Sequence, residues 1–142
     1  MRSIGVVRVV LLAGACACAS GGGAEEGVVS GTLVGTSWTL IEVDGEALPA
    51  PEDGRPAELV FLEEDRFAGS AGCNRVLGAA KQHGASLSML PGPMTMMACP
   101  PPLDRIEQRF VAVLGDVTGY RRSDATLDLL SGERVVMRLA AK

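Results

Sequence analysis

The chain has 142 residues, which is room for one domain, and its 47% hydrophobic and 21% charged residues are typical of a globular protein. The formal net charge is −4 and there is no cluster of Lys or Arg, so the composition predicts no nucleic-acid partner. A single His excludes zinc sites that are built on several histidines.

The N-terminal segment 1–15 is typical of a bacterial lipoprotein signal peptide. Two arginines precede a short apolar run, which is far below the ~20 apolar residues needed to span a bilayer, and small residues follow it. Cys16 and Cys18 each follow a small residue and are the candidate lipidation sites; Leu12, four positions before Cys16, favours Cys16. No acidic residue follows either cysteine closely, so we expect an outer-membrane lipoprotein that faces the periplasm. The alternative is plain cleavage, which leaves a soluble periplasmic protein.

Residues 16–32 predict a flexible tether, because the segment Ser20–Ser30 is rich in Gly and Ser and shows no periodicity. An acyl anchor at its start would hold the protein at a membrane while the tether lets the domain turn. The folded domain is expected to occupy residues 33–142.

Short strands are predicted through most of this domain, from β-branched residues, alternation and turn pairs such as Asp44-Gly45. Gly69, Gly72 and Gly78 are expected where a Cβ would forbid the backbone angle or a close approach. The predicted strands are 38–43, 57–63, 66–70, 76–81, 86–90, 120–122, 126–130 and 134–139, with an extended segment over 91–99.

One amphipathic helix is predicted between the two groups of strands. Asp104 with Glu107 three residues later resembles a capping box at its start, and Gly115 ends it. An apolar stripe at helical spacing must face a core. Its residues are Leu103, Ile106, Phe110, Val113 and Leu114.

The expected fold class is α+β. Alternation in the last strands, as at Val135 and Met137, indicates antiparallel sheet with one buried face. We therefore expect a small curled antiparallel β-sheet, a partial barrel of about seven or eight short strands, packed around the amphipathic helix.

Two motifs carry a resemblance to a known family. A glycine-rich GSAGCNR segment is followed by TMMAC and then by the helix, and this order resembles the META (HslJ-like) domain over nearly the whole mature chain. The resemblance implies a small sheet around a helix, often on an envelope lipoprotein, with roles in heat-shock, envelope-stress or antibiotic tolerance and no defining enzymatic activity. The motif residues are Gly72, Cys73, Asn74, Arg75, Thr95, Met97 and Cys99.

Cys73 and Cys99 are the cysteines left after signal processing, and in an oxidising compartment such a pair favours a disulfide. Two buried thiols packed together, or a redox-active pair, are the alternatives, although the CxxC spacing is absent. Pairing Cys73 with His83 as nucleophile and base is not favoured, because His83 is expected in an exposed turn.

Several sulfur-bearing residues, together with one histidine, raise a Cu(I) hypothesis, since thioethers and a thiolate suit that ion. Core packing is the favoured interpretation of the methionines, because Met is a flexible core filler and a bridged sulfur is no thiolate. No cofactor is therefore predicted. The residues concerned are His83, Met89, Met94, Met96, Met97 and Cys99.

For Asn74 and Arg75 the favoured interpretation is structural: Asn74 caps its own backbone in a tight turn and Arg75 pairs with a nearby acid. The functional alternative is that Arg75 recognises a carboxylate or phosphate.

These features predict a non-enzymatic envelope lipoprotein that binds a protein partner and contributes to stress tolerance. The alternative is a carrier that holds an apolar small molecule or lipid in a cavity between the sheet and the helix. Contact with the membrane is expected through the N-terminal acyl anchor.

Overall fold

The computed structural model describes residues 31–51 and 55–142. The predicted signal peptide, both candidate lipidation cysteines and nearly all of the predicted tether lie outside the described residues. The strands are β1 (Ser37–Val43), β2 (Glu46–Ala47), β3 (Glu58–Leu62), β4 (Arg66–Ser70), β5 (Arg75–His83), β6 (Ser86–Met94), β7 (Gly119–Arg122), β8 (Thr126–Ser131) and β9 (Arg134–Ala141). The helix α1 spans Leu103–Leu114.

The strands form one antiparallel sheet that curls into a ring. Their order is β2-β1-β3-β4-β5-β6-β7-β8-β9, and β1 also pairs with β9, so every strand except the short β2 belongs to the ring. Within the ring, β6 and β7 have the fewest paired residues, since they pair at Ser86 and Gly119 alone. Helix α1 connects these two strands and contacts β1 and β6. The α+β partial barrel around one helix is thus confirmed.

The core lies inside the ring and includes the apolar face of α1. Phe110 and Leu114 of the helix belong to the same buried cluster as Phe67 of β4 and Leu139 of β9. Burying this stripe stabilises the fold by roughly 1.5–3 kcal/mol for each large side chain. The apolar side chains of the helix therefore fill the inside of the ring.

The predicted alternation in the last strand is wrong at its start. Val136 is buried and Val135 is only half-buried, because the register between β8 and β9 shifts after Leu129. Leu129 pairs with Met137 and Leu130 with Val135, which leaves Val136 as the extra residue of a β-bulge.

Strand β6 is longer than predicted and runs through Pro91. The Leu87 amide donates to the Thr118 carbonyl on the β7 side, and by strand alternation the Pro91 nitrogen faces that same side. Since β6 and β7 pair at Ser86 and Gly119, Pro91 lies beyond their pairing and its missing N–H breaks no ladder bond. An edge position explains why a proline does not end the strand.

The predicted capping box at the start of α1 is wrong. The N-cap residue is Pro102 and no side chain caps the helix. Glu107 is buried and its carboxylate accepts hydrogen bonds from Asn74 instead of reaching back to the first turn. The carboxylate that a capping box would need is therefore used in a tertiary contact.

Gly78 lies at a close approach between strands, as predicted. A Cβ there would stand 2.3 Å from the Leu90 carbonyl oxygen and 2.5 Å from Cε1 of Phe67. Gly72 has a φ of +109°, a conformation that favours glycine. Gly72 lies within the cysteine motif, and Gly78 lies in β5, the strand that follows it.

Candidate functional site

Asn74 is the centre of the candidate site. It is buried before the first residue of β5, and its side-chain amide pairs with the backbone of Met97: the Met97 amide donates to Oδ1 at 2.7 Å and Nδ2 donates to the Met97 carbonyl at 3.0 Å. The Thr95 hydroxyl also donates to Oδ1, at 2.9 Å. The interpretation that Asn74 caps its own backbone is wrong, because its side chain instead holds the segment after β6.

Glu107 joins this segment to the helix. Its Oε2 accepts a 2.6 Å hydrogen bond from the Asn74 backbone amide, and its Oε1 accepts a 2.8 Å bond from Asn74 Nδ2. A buried carboxylate is costly unless hydrogen bonds satisfy it, so these two contacts are what allow it here. The sequence carried one signal for this role: Glu107 lies at helical spacing from Leu103 and Phe110, within the apolar stripe.

Cys73 and Cys99 form a disulfide, with their Cα atoms 6.0 Å apart. Cys73 is buried and Cys99 is half-buried. Asn74 Nδ2 lies 3.3 Å from Cys99 Sγ, so the covalent bond and the amide network meet at one point. The start of β5 and the segment after β6 are therefore held together twice.

Among the described residues, one group of possible metal ligands lies at the same place. Ligand atoms of Cys73, Cys99 and Glu107 lie within 4.8 Å of one another. Both sulfurs are spent in the disulfide, and a soft metal ion requires thiolates. In its oxidised form the cluster therefore fits a structural cross-link and does not fit a metal ion.

A groove of about 430 Å³ opens between α1 and the segment after β6, and we call it the methionine groove. Met96 is 86% and Met97 47% exposed, so core packing is wrong for these two residues, whereas Met89 and Met137 are buried as predicted. Because Asn74 binds the backbone of Met97, the side chain of Met97 takes no part in that contact. The residues lining the groove are Asn74, Met94, Met96, Met97, Cys99, Asp104, Glu107, Gln108 and Val111.

Arg75 pairs through its side chain with an acidic residue of β3. Its side chain is largely exposed and forms an ion pair with Glu58, with 3.6 Å between nitrogen and oxygen. This pairing agrees with the structural interpretation, in which a nearby acid occupies the guanidinium.

A second groove, of about 410 Å³, lies beside the N-terminal end of α1. It is mostly apolar, and prolines from two loops form much of its wall: Pro49 and the run Pro100–Pro102, with Ile41 and Leu48 beside them. We call it the proline groove.

The chain enters the ring at the opposite end from the methionine groove. Tyr120 and Gln82 both donate to the Gly31 carbonyl, at the end of β5 where His83 also lies. Strand β5 has nine residues, so Arg75 and His83 are about 26 Å apart. His83 is therefore far from Cys73, and the two do not form a nucleophile–base pair.

Burial raises the pKa of the Tyr120 hydroxyl, although Arg122 and the hydrogen bond with Gln82 act in the opposite direction. The same hydroxyl lies 3.0 Å from the Gly84 carbonyl oxygen, so its one proton is shared between the Gly31 and Gly84 carbonyls. Its neutral form therefore serves as the donor that holds the entering chain.

A ring of antiparallel strands filled by one helix, with a bridged cysteine motif tied to that helix, defines a small α+β domain. The model of the META domain matches residues 31–142, and the chain belongs to the META domain family.

Three solved structures are similar to this chain. An NMR structure of a protein from Burkholderia xenovorans shares 27% identity at a TM-score of 0.59, covering 78% of this chain and 83% of that one. A second NMR structure shares 24% identity at a TM-score of 0.55, covering 75% and 87%. A crystal structure of a DUF4847 family protein from Bacteroides vulgatus shares 12% identity at a TM-score of 0.56, covering 77% and 93%. The last two show the fold alone.

No curated protein matches the chain significantly. Within residues 31–51 and 55–142, no helix has the length and apolar character that crossing a membrane requires.

Proposed function

We propose that the protein is a non-enzymatic envelope lipoprotein whose META domain binds a protein partner at the methionine groove, and that this binding contributes to heat-shock, envelope-stress or antibiotic tolerance. Membership of the META family supports the envelope association. The signal-like N-terminus, with candidate lipidation at Cys16 or Cys18, supports the anchor.

The observation that carries the proposal is a pair of exposed thioethers on a rigid base. Met96 and Met97 expose apolar side chains that the fold leaves uncovered. Methionines at a surface adapt to varied apolar partners, because the chain is unbranched and the sulfur is polarisable. The backbone beneath them is held by Asn74 and by the disulfide of Cys99. Binding a partner therefore costs little conformational entropy in this segment.

The location of the groove favours a protein partner over the membrane itself. The chain enters the ring at Gly31, and β5 separates that end from Arg75 and the groove by about 26 Å. An anchor at Cys16 or Cys18 would attach at the entry end, and the flexible tether would let the domain turn. The methionine groove, at the other end, would therefore be open to a periplasmic protein.

The absence of catalysis is part of the proposal. Cys73 is bonded to Cys99 and is no nucleophile in that state, and His83 lies at the far end of β5. A general base must come within hydrogen-bond reach of the group that it activates. Both observations support a binding role.

A carrier of an apolar ligand is the second candidate, and the proline groove is the observation that favours it. Its volume of about 410 Å³ and its apolar wall suit a small apolar molecule. The space between the sheet and the helix is filled by side chains such as Phe67 and Phe110, so a ligand would lie in this outer groove. Retention of a small molecule in native mass spectrometry after mild extraction would favour the carrier.

Photo-crosslinking in cells that carry the native envelope tests the partner hypothesis. A benzophenone amino acid replaces Met96 in one variant and Leu90, an equally apolar residue that is 70% exposed on β6, in the control. We expect a discrete protein adduct from position 96, none from position 90, and loss of the adduct when Met97→Asp places a charge in the groove. Equal adducts from both positions, or lipid adducts alone, would contradict the proposal.

A further inference from the structure

We propose that Met96 and Met97 are the oxidation sites of this domain, and that their conversion to sulfoxides weakens binding of apolar groups in the methionine groove. The inference rests on the proposed function, because it assigns a regulation to the same groove.

Access to sulfur differs sharply among the methionines of the described residues. Met96 is 86% and Met97 47% exposed, whereas Met89 is 5% and Met137 1% exposed. Met94 is partly buried and packs against the core. Because the oxidant must reach the sulfur, this order of exposure predicts the order of oxidation.

The chemistry requires a two-electron oxidant, and we name peroxides as its class. Hydrogen peroxide transfers one oxygen atom to the thioether, which becomes a sulfoxide, while the peroxide is reduced to one molecule of water. Thiolates would react first, but Cys73 and Cys99 are already joined in the disulfide. Within the described residues, the exposed thioethers are therefore the sulfurs open to the oxidant.

Glu107 and Asn74, the two buried polar residues of the groove, offer the new oxygen no free donor. Both oxygens of Glu107 are acceptors that already receive bonds from Asn74. The Asn74 amide is likewise engaged, with Nδ2 bonded to the Met97 carbonyl. A sulfoxide oxygen here must take its hydrogen bonds from water or from the exposed Gln108 amide, and an apolar partner that covered it would remove that water without replacing the hydrogen bond.

The fold itself does not depend on these two thioethers. Met97 contributes its backbone to the contact with Asn74, and both side chains lie outside the buried cluster. Oxidation therefore makes the surface of the groove more polar and leaves the backbone of Met97 bound to Asn74. Sulfoxides are also reducible by methionine sulfoxide reductases, so the change is reversible.

The first test maps oxidation along the folded chain. Protein treated with graded hydrogen peroxide is digested and its methionine peptides are quantified by mass spectrometry. We expect Met96 and Met97 to be oxidised at least about tenfold faster than Met89 and Met137, with an unchanged Tm. Equal rates at exposed and buried methionines, or a Tm that falls in step with oxidation, would overturn the inference.

The second test uses the apolar dye Nile red as the probe of the groove. We expect dye fluorescence to fall several-fold when the wild type is oxidised. It should stay constant in the double variant Met96→Leu and Met97→Leu, which is apolar but cannot be oxidised. Unchanged dye binding after selective oxidation of the wild type would overturn this inference alone. Absence of groove-dependent dye binding before oxidation, judged by the Met97→Asp variant, would instead contradict the proposed function.

Discussion

The backbone amide of Asn74 donates a 2.6 Å hydrogen bond to Oε2 of Glu107, a residue 33 positions away in the sequence. Together with the bond from Asn74 Nδ2 to Oε1, this contact ties the cysteine motif to α1. Because the Asn74 side chain at the same time binds the backbone of Met97, the helix, the disulfide and the floor of the methionine groove form one unit.

Replacing Glu107 by Gln should destabilise the protein. One carboxylate oxygen becomes an amide nitrogen, which cannot accept a hydrogen bond from Asn74, so we expect a loss of about 2 kcal/mol in the free energy of unfolding, measured in urea. The matched control is Glu63→Gln on the exposed hairpin tip, where the change should stay within about 0.5 kcal/mol. Equal stabilities of the two variants would show that the buried contact contributes nothing.

Removing the disulfide should lower stability without changing the fold. The bond closes a loop with a sequence separation of 26, and its loss in the double variant Cys73→Ala and Cys99→Ala should cost ~3.5 kcal/mol in the chain-entropy model. Urea unfolding of both proteins with and without a reductant measures this. The reductant should destabilise the wild type and leave the variant unchanged; no effect on either protein would refute the prediction.

Gly78→Ala should be strongly destabilising, since the added Cβ would stand 2.3 Å from the Leu90 carbonyl oxygen. We expect a loss of at least about 2 kcal/mol in thermal or urea unfolding. Gly115→Ala is the control, because a Cβ there meets nothing closer than 3.6 Å and φ is −68°. That variant should be as stable as the wild type or slightly more stable, and a similar loss in both would rule out the steric explanation.

Stability should fall at alkaline pH through Tyr120. Burial raises the pKa of its hydroxyl in the folded protein, so the neutral donor's contribution is fully present below the unfolded pKa of about 10 and is lost as pH rises through the folded value. Tyr120 is the chain's single tyrosine, so tyrosinate absorbance in a pH titration reports it alone. Tyr120→Phe should remove this part of the pH dependence of unfolding; an absorbance midpoint below that of free tyrosine would contradict the sign.

Processing at the N-terminus can be assigned by intact mass after expression with the native signal. We expect Cys16→Ser to abolish acylation and Cys18→Ser to leave it unchanged, because Leu12 favours the first site. The reverse pattern would move the lipidation site to Cys18. An unacylated wild type would indicate the soluble periplasmic alternative.

Local patterns were enough to predict the helix and most strands. The stripe from Leu103 to Leu114 has the period of a helix, and residues such as Leu127 and Leu129 alternate as in a half-buried strand. These patterns work because burial of apolar side chains decides each element, and the spacing of those side chains is written in neighbouring residues. Resemblance in two short motifs was also enough to indicate the META family, which the matched model confirms.

The partners of residues distant along the chain were decided by the tertiary structure. Glu107 looked like a helix cap and Asn74 like a turn residue, yet each satisfies the other. Met96 looked like core and is exposed, while residues such as Phe67 and Phe110 fill the ring. The sequence by itself determined which segments become strands and helix, whereas the closing of the ring decided which polar groups are buried together and which apolar ones remain outside. The physical reason is that hydrogen bonds and burial between distant segments depend on which surfaces meet, and no local period encodes that.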